Sequence, residues 1–236
     1  MENQPKSLPV RLRELTHDLA EITIEIESYL NTTIPSFDLP VGNSKHGIYA
    51  FFDYDGEPIY AGQTREKLRI RIRRHLTNHR TDAVAMSVLD PFEVAMVEVW
   101  PLDEIFSEFD KKQIKDFLGR AEVTVIKKCI KESSLGAILN EKTPDMSLRS
   151  VKLPESFKAS IIPDHIFERR SHPDIRLARR AATVADLARI ISERKVSAGL
   201  RQTLLVQTRR IELLASMRLK QLGLESNHSN HPNHPA

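Results

Sequence analysis

Two tyrosines, an arginine, a histidine and an isolated glutamate are the residues of this 236-residue chain best suited to do chemistry. Tyr49 and Tyr60 lie in two short β-prone runs, 47–54 and 58–62, separated by Asp55-Gly56, a dipeptide suited to the positive φ of a tight hairpin. Arg71 and His75 follow, four apart, so they share one face of a helix. A guanidinium offers a planar fork to phosphate oxygens, and phenol and imidazole can move protons. Gathered this closely, the four suit a phosphate-handling site. Glu122 stands in Gly119-Arg120-Ala121-Glu122-Val123-Thr124-Val125-Ile126, where a lone acid is costly to bury without a partner. Its carboxylate is a candidate ligand for a hard divalent cation. Glu132 is second to it, because Lys127, Lys128 and Lys131 give it a solvent-facing neighbourhood. Each residue alone also has a plain structural reading, such as a tyrosine at a sheet rim, an arginine paired with an acid, or a surface histidine. Their order along the chain favours the functional one.

These side chains need elements to position them. Leu12, Leu15, Leu19, Ile22, Ile26 and Leu30 recur at helical steps and predict a helix over about 8–30. Pro35 and Pro40 mark a loop over 32–43. The helix carrying Arg71 and His75 is expected over 65–78, with Leu68, Ile72 and Leu76 as its apolar stripe. Residues 92–100 read as a third strand, 103–109 as a short helix, and 111–132 as a long one. A short apolar piece then ends at Asn140. Pro144, Pro154, Pro163 and Pro173 give 142–174 the look of a linker packed on the core. A helical hairpin is expected over 174–224, broken at Gly199. The tail carries His228, His231 and His234 and reads as disordered rather than as a metal site.

Composition narrows the class. With 40% hydrophobic and 28% charged residues the chain is of soluble globular type. It has no apolar run of membrane-spanning length, so no membrane partner is expected. The single cysteine, Cys129, excludes an intrachain disulfide and a cysteine-rich zinc site. The polar start does not read as a secretion signal, and a cytoplasmic setting is the expectation. Net charge is only +3, but residues 168–224 hold 13 Arg and Lys against 5 Asp and Glu. That imbalance points to a polyanionic partner for the C-terminal part.

Gly47-Ile48-Tyr49 and Tyr60-Ala61-Gly62 resemble the two triplets that mark the GIY-YIG nuclease superfamily. Ala61 stands where Ile or Val is usual. Strand alternation turns it away from Tyr60, so the change bears on packing more than on chemistry. The resemblance implies an α+β fold, with a small core of three antiparallel strands flanked by helices. This chain adds an N-terminal helix and a C-terminal helical extension. The expected division is 1–43 (helix and loop), 44–145 (nuclease core), 146–173 (linker), 174–224 (basic helices) and 225–236 (disordered tail).

The resemblance also implies an enzyme, an endonuclease that hydrolyses phosphodiester bonds. Tyr49, Tyr60, Arg71, His75 and Asn140 match the family's catalytic positions, and Glu122 its metal ligand. One Mg²⁺ or Mn²⁺ per site is expected, since only one carboxylate is present. Tyr49 would act as the general base or relay to it, which requires nearby cations to depress its pKa from about 10. Arg69, Arg73 and Arg74 fall off the catalytic spacing and are expected on the nucleic-acid backbone, with Arg179, Arg180, Arg209 and Arg210. The sequence shows no evident zinc finger, helix-turn-helix, helix-hairpin-helix or second nuclease domain. Its plan is similar to that of GIY-YIG type II restriction enzymes. Metal-dependent cleavage of double-stranded DNA in restriction or phage defence is therefore expected. A palindromic site would call for a homodimer. The alternatives are a non-catalytic DNA-binding or interaction protein on a degenerate nuclease core, which Ala61 would favour, and a structure-specific repair or RNA nuclease.

Overall fold

The computed structural model describes residues 10–35, 37–76, 88–142 and 144–224. The expected first-helix start at Leu8, the second-helix end at Asn78, and the tail 225–236 with its three histidines lie outside the described residues.

Gly47–Phe52 (β1) and Pro58–Thr64 (β2) form the expected hairpin, with Tyr49 opposite Gly62 and Phe51 opposite Tyr60. Gly56 takes φ +75° in the turn, a value a β-carbon would strain. The Asp53 carboxylate accepts from the backbone N–H groups of Asp55 and Glu57 and closes the turn from below. Met96–Pro101 (β3) pairs antiparallel with β1 on its other side. It starts later than expected because Pro91–Glu93 forms a 3₁₀ turn capped by Asp90. The short helix expected over 103–109 is a single 3₁₀ turn, Glu104–Phe106.

The sheet has four strands, not three, in the order β2-β1-β3-β4. Phe157–Ser160 (β4) pairs antiparallel with β3 and lies in the segment read as a linker. Its four residues, Phe-Lys-Ala-Ser, hold no β-branched side chain and sit between prolines. Nothing local marks such a strand; pairing with β3 creates it.

β1 is central and buried on both faces. On one face Tyr49, Phe51, Val97 and Val99 pack with Ile26 and Leu30 of Val10–Asn31 (α1) and Leu68 and Ile72 of Leu68–Leu76 (α2). On the other, Ile48, Ala50, Ala61 and Trp100 pack with Leu118, Ala121 and Val125 of Lys111–Glu132 (α3). Ala61 therefore lies under a helix, facing away from Tyr60, in the same buried cluster as Ala121. Asp110 and Gln113 form a capping box that starts α3 at the expected residue.

Asp164–Arg170 (α4) clamps α1, since Arg169 and Arg170 both bond the Asp18 carboxylate, at 2.5 and 2.9 Å. Burial opposes ionisation of Asp18, but the two arginines more than reverse this, and its pKa lies below the usual carboxylate value. A depressed folded-state pKa contributes stability above the unfolded value, near 4, that is lost as pH falls through the folded one. Urea denaturation should therefore show wild type losing more stability between neutral and strongly acid pH than Asp18→Asn. Equal losses would show that the clamp does not contribute.

Pro173–Glu193 (α5) and Ala198–Gln221 (α6) form the C-terminal helical hairpin. Gly199 is not the break between them. It lies in the first turn of α6, where an added β-carbon would stand 1.9 Å from the Glu141 carbonyl oxygen. The break is at 194–197, with Ser197 capping α6.

Candidate active site

β2 is an edge strand, and the site forms along that edge, where side chains from both faces of the sheet can meet. The edge is covered by the stretch after α3. Leu139 donates its N–H to the Ile59 carbonyl. The Asn140 amide accepts from Ala61 N at 3.2 Å and donates to Ala61 O at 2.7 Å. Asn140 thus satisfies backbone groups that an edge strand leaves open.

Tyr49 is the hub of the first face. Arg71 Nε can only donate, and it donates to Tyr49 Oη at 3.1 Å. His75 Nε2 lies 2.8 Å from the same oxygen. The Tyr49 and Tyr60 rings are stacked with centroids 6.2 Å apart, and His75 lies against both. Gly62 is required here, because a β-carbon would come within 2.7 Å of Tyr49 Oη and 2.9 Å of its Cζ. Gly62→Ala should push the phenol off Arg71 and His75 and cost about 1–3 kcal/mol of stability by overpacking. A thermal melt would check it, the expected outcome being a lower midpoint; an unchanged midpoint would show that the phenol has room to move.

Glu122 comes from the opposite face, on α3. Gln63 Nε2 donates to its Oε2 at 3.0 Å. Burial raises the Glu122 pKa, with the Gln63 bond and the Arg71 charge pulling the other way. The other Gln63 amide atom, Oε1, is buried without a hydrogen-bond partner. Glu122 lines the cleft as a hard-oxygen donor for one small divalent cation that keeps most of its water, while the Gln63 amide turns its N–H toward that carboxylate. Among the described residues no cluster of three or more His, Cys, Asp or Glu could hold a metal by itself. Gln63 has no distinguishing signal in the sequence beyond its place directly after the second triplet.

A cleft of about 350 Å³ is lined by Tyr60, Arg71, His75, Glu122 and Asn140, five of the six residues expected at the centre. The sixth, Tyr49, is 0% exposed and lies behind them. Burial, with a smaller contribution from Tyr60, raises its pKa well above the ordinary phenol, and Arg71 only partly opposes this. Arg71 is a nearby cation that lowers the Tyr49 pKa as expected, but burial outweighs it. As a buried, hydrogen-bonded phenol it suits a relay, not a free base.

The expected backbone-binding arginines divide. Arg69 bonds Asn31 at 2.8 Å and lies near Glu27, Arg73 is ion-paired with Glu27, and Arg74 with Glu66. Arg179 stacks on Phe92 and faces Asp90 at 3.7 Å. Arg209 is exposed. Arg180 and Arg210 are only 5% and 4% exposed, and each bonds Asp53, at 2.9 and 2.7 Å. Burial overturns the expectation that these two meet nucleic acid. A guanidinium enters a protein interior only where acids meet it, and here they do.

Residues 45–119 match the family model of the GIY-YIG catalytic domain. No curated protein and no solved structure matches the chain. The matched stretch holds β1, β2, α2 and β3 with Tyr49, Tyr60, Arg71 and His75, and ends before Glu122 and Asn140. The doubled triplet and the arginine–histidine helix fall inside this match, so residues 45–119 are similar to the catalytic domain of the GIY-YIG nuclease superfamily.

Proposed function

We propose that this protein is a divalent-metal-dependent DNA endonuclease. The observation that carries the reading is the cleft in which Arg71 and His75 from α2, Tyr60 from β2 and Glu122 from α3 line one continuous space. Side chains from both faces of a sheet converge there, and a merely structural role requires no such convergence.

Glu122, steadied by the Gln63 N–H, would hold Mg²⁺ or Mn²⁺, which when bound supplies a Lewis acid for phosphate oxygen. Arg71, held in place by Tyr49, offers a fixed cation to the charge that builds on phosphorus oxygens during attack. Tyr60 is the phenol that meets the cleft. Water attacking phosphorus can pass its proton to Tyr60. Tyr60 in turn passes its own inward to Tyr49, with His75 as the final acceptor 2.8 Å from Tyr49. The phosphorus–oxygen bond to the leaving group breaks as the bond to water forms, and no free phenolate is required. Asn140 keeps β2 and the piece after α3 in register, so that Tyr60 and Glu122 keep their spacing.

A role in restriction or in defence against foreign DNA is the biological setting we favour. Helices built on a bare nuclease core, through the buried contacts of Asp53 with Arg180 and Arg210, support that plan. Palindromic recognition would then require two copies. Supercoiled plasmid incubated with protein and Mg²⁺ should be nicked or linearised, and the reaction should stop with chelator. Intact plasmid across Mg²⁺ and Mn²⁺ would overturn the reading in favour of a non-catalytic core.

A further inference from the structure

Most arginines of the C-terminal helices are consumed by acids, so the basic excess of 168–224 does not make a uniform basic surface. Arg169 and Arg170 hold Asp18, Arg176 holds Asp55, and Arg218 holds Asp174. Arg189 faces Asp186 and Glu193. Arg180 and Arg210 are buried on Asp53. Exposed cations remain in few places.

One of those places is the turn between α5 and α6. Arg194 and Lys195 lie in it, and Arg201 follows in the first turn of α6; all three are exposed. This turn is anchored to the cleft. Gly199 presses its backbone against the Glu141 carbonyl so closely that no side chain would fit. Ser197 Oγ donates to Glu141 Oε1 at 3.3 Å, which ties the turn to the cleft wall and engages that carboxylate. Glu141 and the exposed Lys142 line the same cleft as Arg71 and Glu122. Among the described residues Lys142, Arg194, Lys195 and Arg201 make no side-chain ion pair or hydrogen bond. Lys142 on the cleft wall and Arg194, Lys195 and Arg201 in and beside the turn that touches Glu141 of that wall form a group of exposed cations suited to a run of phosphates.

We propose that Lys142, Arg194, Lys195 and Arg201 form a phosphate-binding rim that carries duplex DNA away from the cleft, with the α5–α6 turn rather than the helix faces as the nucleic-acid contact. The proposal rests on the nuclease reading for its substrate. It adds that the C-terminal hairpin reaches the substrate through its tip. It also gives a function to the tight Gly199–Glu141 contact, which fixes the tip to the cleft wall.

The test is the salt dependence of binding, measured on the full-length protein with a fluorescein-labelled DNA duplex in EDTA, so that no strand is cut. Replacing the four residues by alanine should reduce the slope of log affinity against log salt by about 0.9 for each phosphate left without its cation, up to about 3.6 in all. Arg189→Ala, which removes a cation already flanked by two acids, should leave the slope unchanged. An unaltered slope in the four-residue variant overturns the rim. So does an equal fall per charge in Arg189→Ala, because the effect would then follow net charge rather than position. Failure of wild type to bind the duplex, or binding confined to RNA, overturns it too. Plasmid cleavage in Mg²⁺ is scored separately. A reduced slope supports the rim even where Mg²⁺ elicits no cutting, whereas intact cutting with an unaltered slope removes the rim alone.

Discussion

Glu122→Gln is expected to reduce DNA cleavage by about 10²-fold or more while leaving duplex affinity within a few-fold of wild type. The substitution keeps the shape of the side chain and removes its charge. An amide can still accept from Gln63, so the local packing between β2 and α3 survives. What disappears is the Glu122 charge, which could neutralise a cation in the cleft that Arg71 also lines. Binding should persist because phosphate contacts, not the cation, dominate affinity for a duplex. Arg71→Ala is expected to cost a similar factor, by removing a fixed charge and the tether on Tyr49. Plasmid nicking and fluorescence anisotropy on the same preparations check both. Near-wild-type cutting by Glu122→Gln would remove this carboxylate from the chemistry.

The second large effect is on stability. Asp53→Asn should destabilise the fold by about 3–5 kcal/mol, read from urea denaturation at neutral pH. Asp53 is 2% exposed and does two jobs with one carboxylate. Oδ1 closes the hairpin turn at 2.9 and 3.1 Å from two backbone nitrogens. Oδ2 meets Arg180 at 2.9 Å, Arg210 at 2.7 Å and Arg176 at 3.4 Å. Asparagine can preserve the first job but not the second. It would leave buried Arg180 and Arg210 with Glu93 as the nearest acid, and Glu93 is itself pushed toward its neutral form by burial. Uncompensated buried charge is the costly outcome, so replacing Arg210 by Met in the same background should restore part of the stability. A change under about 1 kcal/mol in Asp53→Asn would mean that water or local rearrangement neutralises the cluster. Because the cluster joins α5 and α6 to the turn between the two triplet strands, it also explains how the C-terminal hairpin is held to the nuclease core.

The hairpin, the Arg71–His75 helix, the long helix with Glu122 and the C-terminal helix pair were legible in the residues, because each rests on local information. Alternation, helical spacing and Asp-Gly turn chemistry act over a few residues and need no distant partner. β4 was not legible, since four residues without a branched side chain become a strand only when β3 offers its edge. The destinations of the basic residues were equally hidden. Sequence counts Arg180, Arg210, Arg194 and Arg201 alike, yet two are sealed against Asp53 and two face solvent. The side-chain types at the candidate site, their order and the elements that carry them were set by the sequence alone. Which of them meet at the edge of β2, that Tyr49 is buried behind Tyr60, and that Gln63 joins Glu122 were decided by tertiary packing. The physical reason is that burial and pairing are properties of surroundings assembled from residues far apart in the chain, and these surroundings, not residue type, determine whether a phenol holds its proton or a guanidinium can reach a phosphate.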